Sequence, residues 1–333
     1  MDILTIIKML FTPETIAKAL KVFPKIETPV MDIIFPNRPQ KTSPVLTVEE
    51  VFEVNQTAPV IQRGGAPVAM QSEKTVLSTI EPLQIRPTLQ ISAVDLNNLK
   101  YLKQTDREQW MLEKTEMLRR IVRRTIEGIA ATSLTGKISW PLRLEGGGWS
   151  TYEIDFTANG ENPIGEYTPA LLWSNNTAKI KTIFNDLIGM RKILKRNGYG
   201  GQCVIWAGEE AFTAIAGVVE NYVSTAEKRD LRAEYSGEFI QIGTFKIELR
   251  SEEYQNPQTS IYVPIIPSKS IVMFTPSANN RLFYCALDDL DADLQALPMF
   301  IKPMRVNDMI SLVASSKPLP VPVTKSFVWA EVA

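Results

Sequence analysis

The sequence predicts a mixed α+β protein that carries stiff, extended arms. Proline is crowded at the flanks, with ten in residues 1–97, nine in 257–333 and three between, and no glycine follows Gly243. Because proline fixes φ and cannot donate to a sheet ladder, both flanks read as extended, while the centre is free to build helices. A long stretch from Thr105 shows helical periodicity with no proline or glycine before Gly128. A separate stretch, Leu83 to Ile91, alternates with period two, the mark of a strand with one buried face.

Taken in order, Thr12, Pro13 and Glu14 form a helix start, with threonine as N-cap and proline in the first turn. Ile16, Ala19, Leu20 and Phe23 recur at helical spacing, and Pro24 stops the helix. From Pro24 to Pro59, prolines interrupt Ile33, Ile34, Phe35, Val45, Leu46, Val51 and Phe52. That segment is too apolar for a free linker and too broken for a central strand, so it lies along some surface, its own or a neighbour's. Leu83, Ile85, Leu89 and Ile91 then alternate with polar residues, and Pro82 and Pro87 forbid hydrogen bonding on both edges. Residues 58–63 are the expected partner strand, with Gly64, Gly65 and Pro67 as breakers. The pair reads as a projecting two-stranded arm, and an isolated hairpin is marginal in water, so it needs a surface to dock on.

Thr105 and Glu108 have capping-box spacing, and Met111, Leu118, Val122, Thr125 and Ile129 follow one face of a helix of about 25 residues, far longer than the usual 11 to 12. Glu116 before Arg119 and Arg120, and Arg123 before Glu127, read as paired charges on the wet side. Residues 137–144 and 151–156 flank Gly146, Gly147 and Gly148 as a hairpin. A helix follows from about Asn176 to Gly198, then a buried strand at 202–207 and a helix at 209–222. Strands are expected at 239–249, 260–265, 270–274, 281–287, 309–314 and 327–332.

A length of 333 residues suggests about two domains and ample core. Thirty-six basic against thirty-seven acidic residues leave a net charge of -1, too balanced to attract nucleic acid or an anionic membrane by overall charge. The chain has no histidine, which removes serine triads, His-assisted thiol chemistry and most zinc sites. Cys203 and Cys285 form no CxxC and read as reduced core thiols. MDILTIIKML carries Asp2 and Lys8 and does not read as a signal peptide, and no stretch approaches 18 uninterrupted apolar residues. A soluble protein of a reducing compartment is expected.

The chemical motifs fail on inspection. ATSLTGK at 131–137 resembles a phosphate loop, but Ala131 replaces the first glycine and Ile138 stands where Ser or Thr would hold magnesium; a helix exit at Gly136 is expected. Gly198, Gly200 and Gly201 follow a helix, with Cys203 in place of the third glycine of a dinucleotide loop. Asp289, Asp291 and Asp293 open like a calcium loop, yet Leu294 and Phe300 occupy its glycine and glutamate positions. A solvated acidic turn is the main reading there, with cation binding or an interface charge as alternatives. Arg119, Arg120, Arg123 and Arg124 wrap around more than one helix face. A paired structural surface is expected, with an inward basic face meeting packaged nucleic acid as the runner-up.

What survives is a design suited to assembly, and here a family resemblance enters. PVIQRGG at 59–65, the helix from Thr105, GQCVIWAGEEAF at 201–212, FKIELRSEEY at 245–254, IPSKSIVMF through FYCALDDLDADLQ at 266–295 and the closing FVWAEVA resemble, in order, the major capsid protein of lambda-type tailed bacteriophages, the phage major capsid protein E family. The resemblance implies the Hong Kong 97-like capsid fold: an N-terminal arm at 1–55, an extended two-stranded loop at 56–97, a peripheral domain with the long spine helix at 98–175 and 276–333, and an axial domain at 176–275. It implies hexamers and pentamers of the chain in an icosahedral head around double-stranded DNA, contacted non-specifically on the inner face. Portal and scaffolding proteins are the implied assembly partners, and some relatives bind a decoration protein outside. The implied location is the virion, with the host cytoplasm during assembly, and no enzyme activity, cofactor, metal or membrane is expected. An encapsulin-like nanocompartment shell, which shares the fold, is the alternative. Candidate subunit-interface residues are Leu83, Ile85, Leu89 and Ile91 on the alternating strand, with Arg63, Gly64 and Gly65 at the breaker, where Arg63 makes a charge-assisted contact or is an exposed arginine beside a turn.

Overall fold

A computed structural model describes residues 3–47, 79–157, 162–223, 233–306 and 309–333. They divide into two compact units, each assembled from three separate stretches of chain: residues 1–25, 38–122 and 283–321 in the first, and 26–37, 123–282 and 322–333 in the second.

The first unit begins with helices Ile3–Leu10 and Pro13–Val22. Thr12 caps the second as its sequence predicts, its hydroxyl accepting from the Thr15 N–H at 3.2 Å. Ile7, Phe11, Ile16 and Ala19 are buried, and Phe11 meets Trp110 edge-on at 6.2 Å. Both helices pack on strand Phe300–Val306, which runs antiparallel to Met309–Ser315. The other side of Met309–Ser315 takes Thr88–Ile91, also antiparallel, placing Ile91 opposite Ile310 and Leu89 opposite Leu312. Ile85 and Ser316 exchange backbone hydrogen bonds at 2.7 and 3.1 Å. Among the described residues Thr88–Ile91 is thus an edge strand, as Pro87 predicts, and the Pro87 carbonyl accepts from the Ala314 N–H at 3.0 Å. Residues 58–63, the expected partner, lie outside the described residues; the partner seen is Met309–Ser315.

Ser92 caps a further helix, Ala93–Tyr101, whose carbonyls at Leu99 and Lys100 accept from the Arg107 guanidinium. The sequence reading missed this helix because it is nearly non-amphipathic, with Leu99 its one buried residue. The long helix follows immediately as Gln104–Ser133, 30 residues rather than about 25. It starts before Thr105, so the expected capping box becomes part of the first turn. Its residues contribute to both units. It ends where Gly136 adopts φ +79, the expected helix exit.

The second unit is built on a seven-stranded sheet in the order Gly165–Glu166, Phe327–Glu331, Ser270–Phe274, Val204–Ala207, Phe245–Leu249, Phe239–Ile242 and Ala233–Tyr235. Val204–Ala207 sits near its centre, antiparallel to Ser270–Phe274 and parallel to Phe245–Leu249. Helices Ile180–Arg196 and Glu209–Val223 cover one face, burying Ile183, Leu187, Met190 and Ile215 against Ile205, Ile247 and Met273. The buried Asp186 carboxylate accepts from the Tyr167 hydroxyl and from Trp173 Nε1, each at 2.8 Å. Burial and that bond to Asp186 push the Tyr167 phenol up to about 12. The glycine-tipped hairpin forms as Lys137–Arg143 and Trp149–Asp155. Its Trp140 lies tilted against Tyr254, with ring centroids 5.6 Å apart, and presses on the long helix at Gly128, where an added Cβ would lie 2.6 Å from the indole.

Segment 26–37, left open between its own chain and a neighbour, lies on its own chain. It forms a π-helical turn, Val30–Ile34, with Val30, Met31, Ile34 and Phe35 buried. Glu127 and Arg123 of the long helix hold it. Glu127, expected on the wet side beside Arg123, is buried and accepts from the Val30 and Met31 N–H groups, while Arg123 pairs with Asp32 at 2.9 Å. The i,i+4 spacing suggested a pair that the fold replaces with two contacts to a distant segment.

Candidate functional site

The candidate interface residues are distributed unevenly. Arg63, Gly64 and Gly65 lie outside the described residues. Leu89 on the strand, Ile85 at its bridge to Ser316 and Leu83 before them are each half-buried. Ile91, at 2% exposure, is already covered inside its own unit. The alternation predicted one strand from Leu83 to Ile91, but strand forms only at Thr88–Ile91, with a single bridge at Ile85, and Ile91 is the root that fixes it rather than part of an open face. Around it the hairpin residue Met309 is also exposed.

The acidic cluster is tied to lysines. Lys302 Nζ donates to Asp289 at 2.7 Å and to Asp291 at 2.8 Å. Burial pulls the Lys302 ammonium down, and its two carboxylate partners outweigh that and hold it above its ordinary value. The same contact with Lys302 keeps the Asp291 carboxyl below the usual range. Asp289 is buried and also takes the Asp291 N–H, closing a short 3-10 turn, Leu290–Ala292. A second lysine, Lys317, is 1% exposed and reaches Asp288 at 3.0 Å. The solvated turn expected from sequence is therefore anchored to the sheet, and a lysine ammonium occupies the place a cation would take. Among the described residues, no group of three or more Asp, Glu, Cys or His could hold a metal ion. Neither lysine was singled out in the sequence; Lys302 takes this role from strand Phe300–Val306, and Lys317 from the link between Met309–Ser315 and Pro318–Val321.

The arginine cluster is largely committed to its own chain. Arg119 binds Glu116 at 2.7 Å and the Pro24 carbonyl at 3.0 Å and lies over the Phe23 ring, while Arg120 shares Glu116 at 2.9 Å. Arg123 is taken by Asp32 and Thr28, and Arg124 is exposed. That is the paired structural surface. Neither cysteine is in a disulfide; Cys285 is buried, Cys203 is half-buried, and burial pushes the Cys203 thiol up, which makes it less reactive. The geometry offers half-covered apolar edge strand and paired surface charge, which suit burial against another protein chain.

No curated protein matches the chain in sequence. Among solved structures, one similar fold is a protein assigned as the capsid protein of a prophage in E. coli CFT073, with a TM-score of 0.62 at 16% identity, covering 97% of this chain and 99% of that one. Another is a phage-related protein from Bordetella bronchiseptica RB50, with a TM-score of 0.50 at 8% identity and 97% of each chain covered. The mixed helix-and-sheet fold with its long helix is thus the phage capsid fold. The family model of phage major capsid protein E matches residues 12–330, and the chain belongs to that family, as a structural subunit of a phage capsid shell.

Proposed function

We propose that the protein assembles through its own surfaces into hexamers and pentamers of an icosahedral head that packages double-stranded DNA, with no enzymatic step of its own. The observation that carries this reading is the family match along nearly the whole chain. The half-buried apolar residues Leu83, Ile85 and Leu89, leading into and along the strand Thr88–Ile91, support it physically, because partly exposed apolar chain is better buried on a neighbour. In this reading residues 1–55 are the arm, 56–97 the extended loop, 98–175 with 276–333 the peripheral domain, and 176–275 the axial domain. The loop residues Arg63, Gly64, Gly65, Leu83, Ile85 and Leu89 meet the adjacent subunit, and Ile91 anchors them from within. A portal and a scaffolding protein are its assembly partners, some relatives add a decoration protein outside, and assembly takes place in the host cytoplasm.

Electron microscopy of the expressed protein, alone and with the proteins encoded beside it, tests the proposal. Closed shells of uniform size, filled with DNA when the packaging proteins are present, are expected. A stable 37.4 kDa monomer under every condition of salt, concentration and partner would overturn it. Shells that exclude nucleic acid and enclose an enzyme would assign the chain to a nanocompartment instead.

A further inference from the structure

Residues 26–37 and the long helix from Arg123 onward belong to one compact unit, and the Glu127 carboxyl on the helix bonds the backbone of the segment. Glu127 Oε1 accepts from the Val30 N–H at 2.7 Å and Oε2 from the Met31 N–H at 2.9 Å, partners 97 and 96 positions away in sequence. The residue is 7% exposed. The charged groups facing it are Asp32, from the docked segment, and Arg123, from its own helix. Arg123 does not bond Glu127; its guanidinium donates to Thr28 Oγ1 at 2.6 and 3.0 Å and to Asp32 Oδ1 at 2.9 Å. The docked segment therefore has an apolar hold, through Val30, Met31 and Ile34, that does not titrate, and a polar hold centred on a buried acid that does.

We propose that Glu127 makes the docking of residues 26–37 a proton-linked switch, firm when its carboxyl is neutral and slack when it is ionised. A carboxylate shut away from water with no hydrogen-bonded cation carries a large desolvation cost, which two N–H donors offset only in part. The neutral acid avoids that cost and keeps its carbonyl oxygen as an acceptor for one of the two N–H groups. Burial, reinforced by the like charge of Asp32, outweighs the Met31 and Val30 N–H groups and Arg123, and the carboxyl is pushed up to about 7. Once the segment lifts, water reaches the group and it returns to its ordinary value of 4.5. The docked state thus holds more protons between those two values. Docking is strongest below that window and weakens as pH rises through about 7.

Amide hydrogen exchange on the full-length protein tests this, read on peptides spanning residues 26–37 and corrected for intrinsic exchange, with peptides of the seven-stranded sheet as internal reference. Relative to that reference, protection of the segment should fall about tenfold from about pH 6 to about pH 8.5 in the wild type. Glu127→Gln, which cannot ionise, should show no such fall. In Asp32→Asn, the fall should persist with its midpoint at lower pH, because a like charge is gone and Arg123 is freed. Equal protection at both pH values, greater protection at the higher one, or an unchanged fall in Glu127→Gln would overturn the proposal. Should Glu127→Gln fail to fold, the wild type and Asp32→Asn decide: an unmoved midpoint assigns the titration to another group and sinks the idea.

Discussion

The Lys317 ammonium lies 3.0 Å from the Asp288 carboxylate, yet the two partners stand in different media: the lysine side chain is 1% exposed and the aspartate 61%. Glu81, at 3.9 Å from the same ammonium, is also exposed. Removing the two ends of this pair therefore has unequal consequences. Asp288→Asn leaves the buried cation only the longer contact to Glu81 and should cost about 2 kcal/mol, less than a fully buried pair because solvent screens the acid side. Lys317→Met leaves only a hydrated carboxylate and should cost less than about 1 kcal/mol. Denaturant unfolding of the unassembled subunit checks the order, and a larger loss for Lys317→Met would contradict it.

Asp186 is the acceptor for two donors on the stretch that leads into its helix, Tyr167 and Trp173. Asp186→Leu leaves the Trp173 indole N–H buried without an acceptor and should destabilise the subunit by about 2 to 4 kcal/mol. Tyr167→Phe removes one donor and leaves the acceptor its other partner, so it should cost about 1 kcal/mol. Chemical unfolding followed by tryptophan fluorescence measures both.

At Gly128 two effects oppose each other. Alanine would favour the helix by about 1 kcal/mol, but its Cβ would stand 2.6 Å from Trp140. The ring is held by Tyr254 and the hairpin, so the clash should win, with a net loss of about 1 to 3 kcal/mol. In a Trp140→Leu background the same substitution should become neutral or stabilising. A thermal melt of the four proteins in that cycle gives the answer.

Ile85→Asp with Leu89→Asp tests the edge strand. Both side chains are half-buried and sit outside the fully buried core, so the variant should keep a cooperative melt and its circular dichroism spectrum. Assembly should fall sharply, because each buried apolar side chain lost from an interface removes up to about 1.5 to 3 kcal/mol per subunit. Normal shells from this variant would remove the strand from the interface.

Local rules recovered what local chemistry decides. Thr12 and Pro13 begin a helix because the hydroxyl and the fixed φ act within one turn, and Gly136 ends one because its own φ is positive. The edge position of Thr88–Ile91 followed from Pro87 in the same way. The errors lie where the partner is remote. Glu127 was read as half of an i,i+4 pair because its real partners, Val30 and Met31, are nearly a hundred positions away. Strands Phe300–Val306 and Pro318–Val321 were passed over because Pro303, Pro318 and Pro320 argue against strands from sequence alone. The same blindness hid Lys302 and Lys317, whose burial is decided by tertiary packing. For the interface, alternation marked four apolar positions but could not show that Ile91 is consumed by its own sheet.

Because each compact unit is stitched from three stretches of chain, synthesis on the ribosome meets a constraint. Strand Met309–Ser315 lies between its two neighbours in the first unit, and Phe327–Glu331 flanks Ser270–Phe274 in the second. Everything made before them must wait, as a nascent chain, with its intended strand partners missing. Neither unit can close until those late residues have left the exit tunnel, so a partly translated subunit lacks the finished surfaces through which copies recognise one another. The threading of the polypeptide thereby sets the order of events in the cell: folding finishes late, and until it does the unpaired strands leave the nascent chain prone to non-native association.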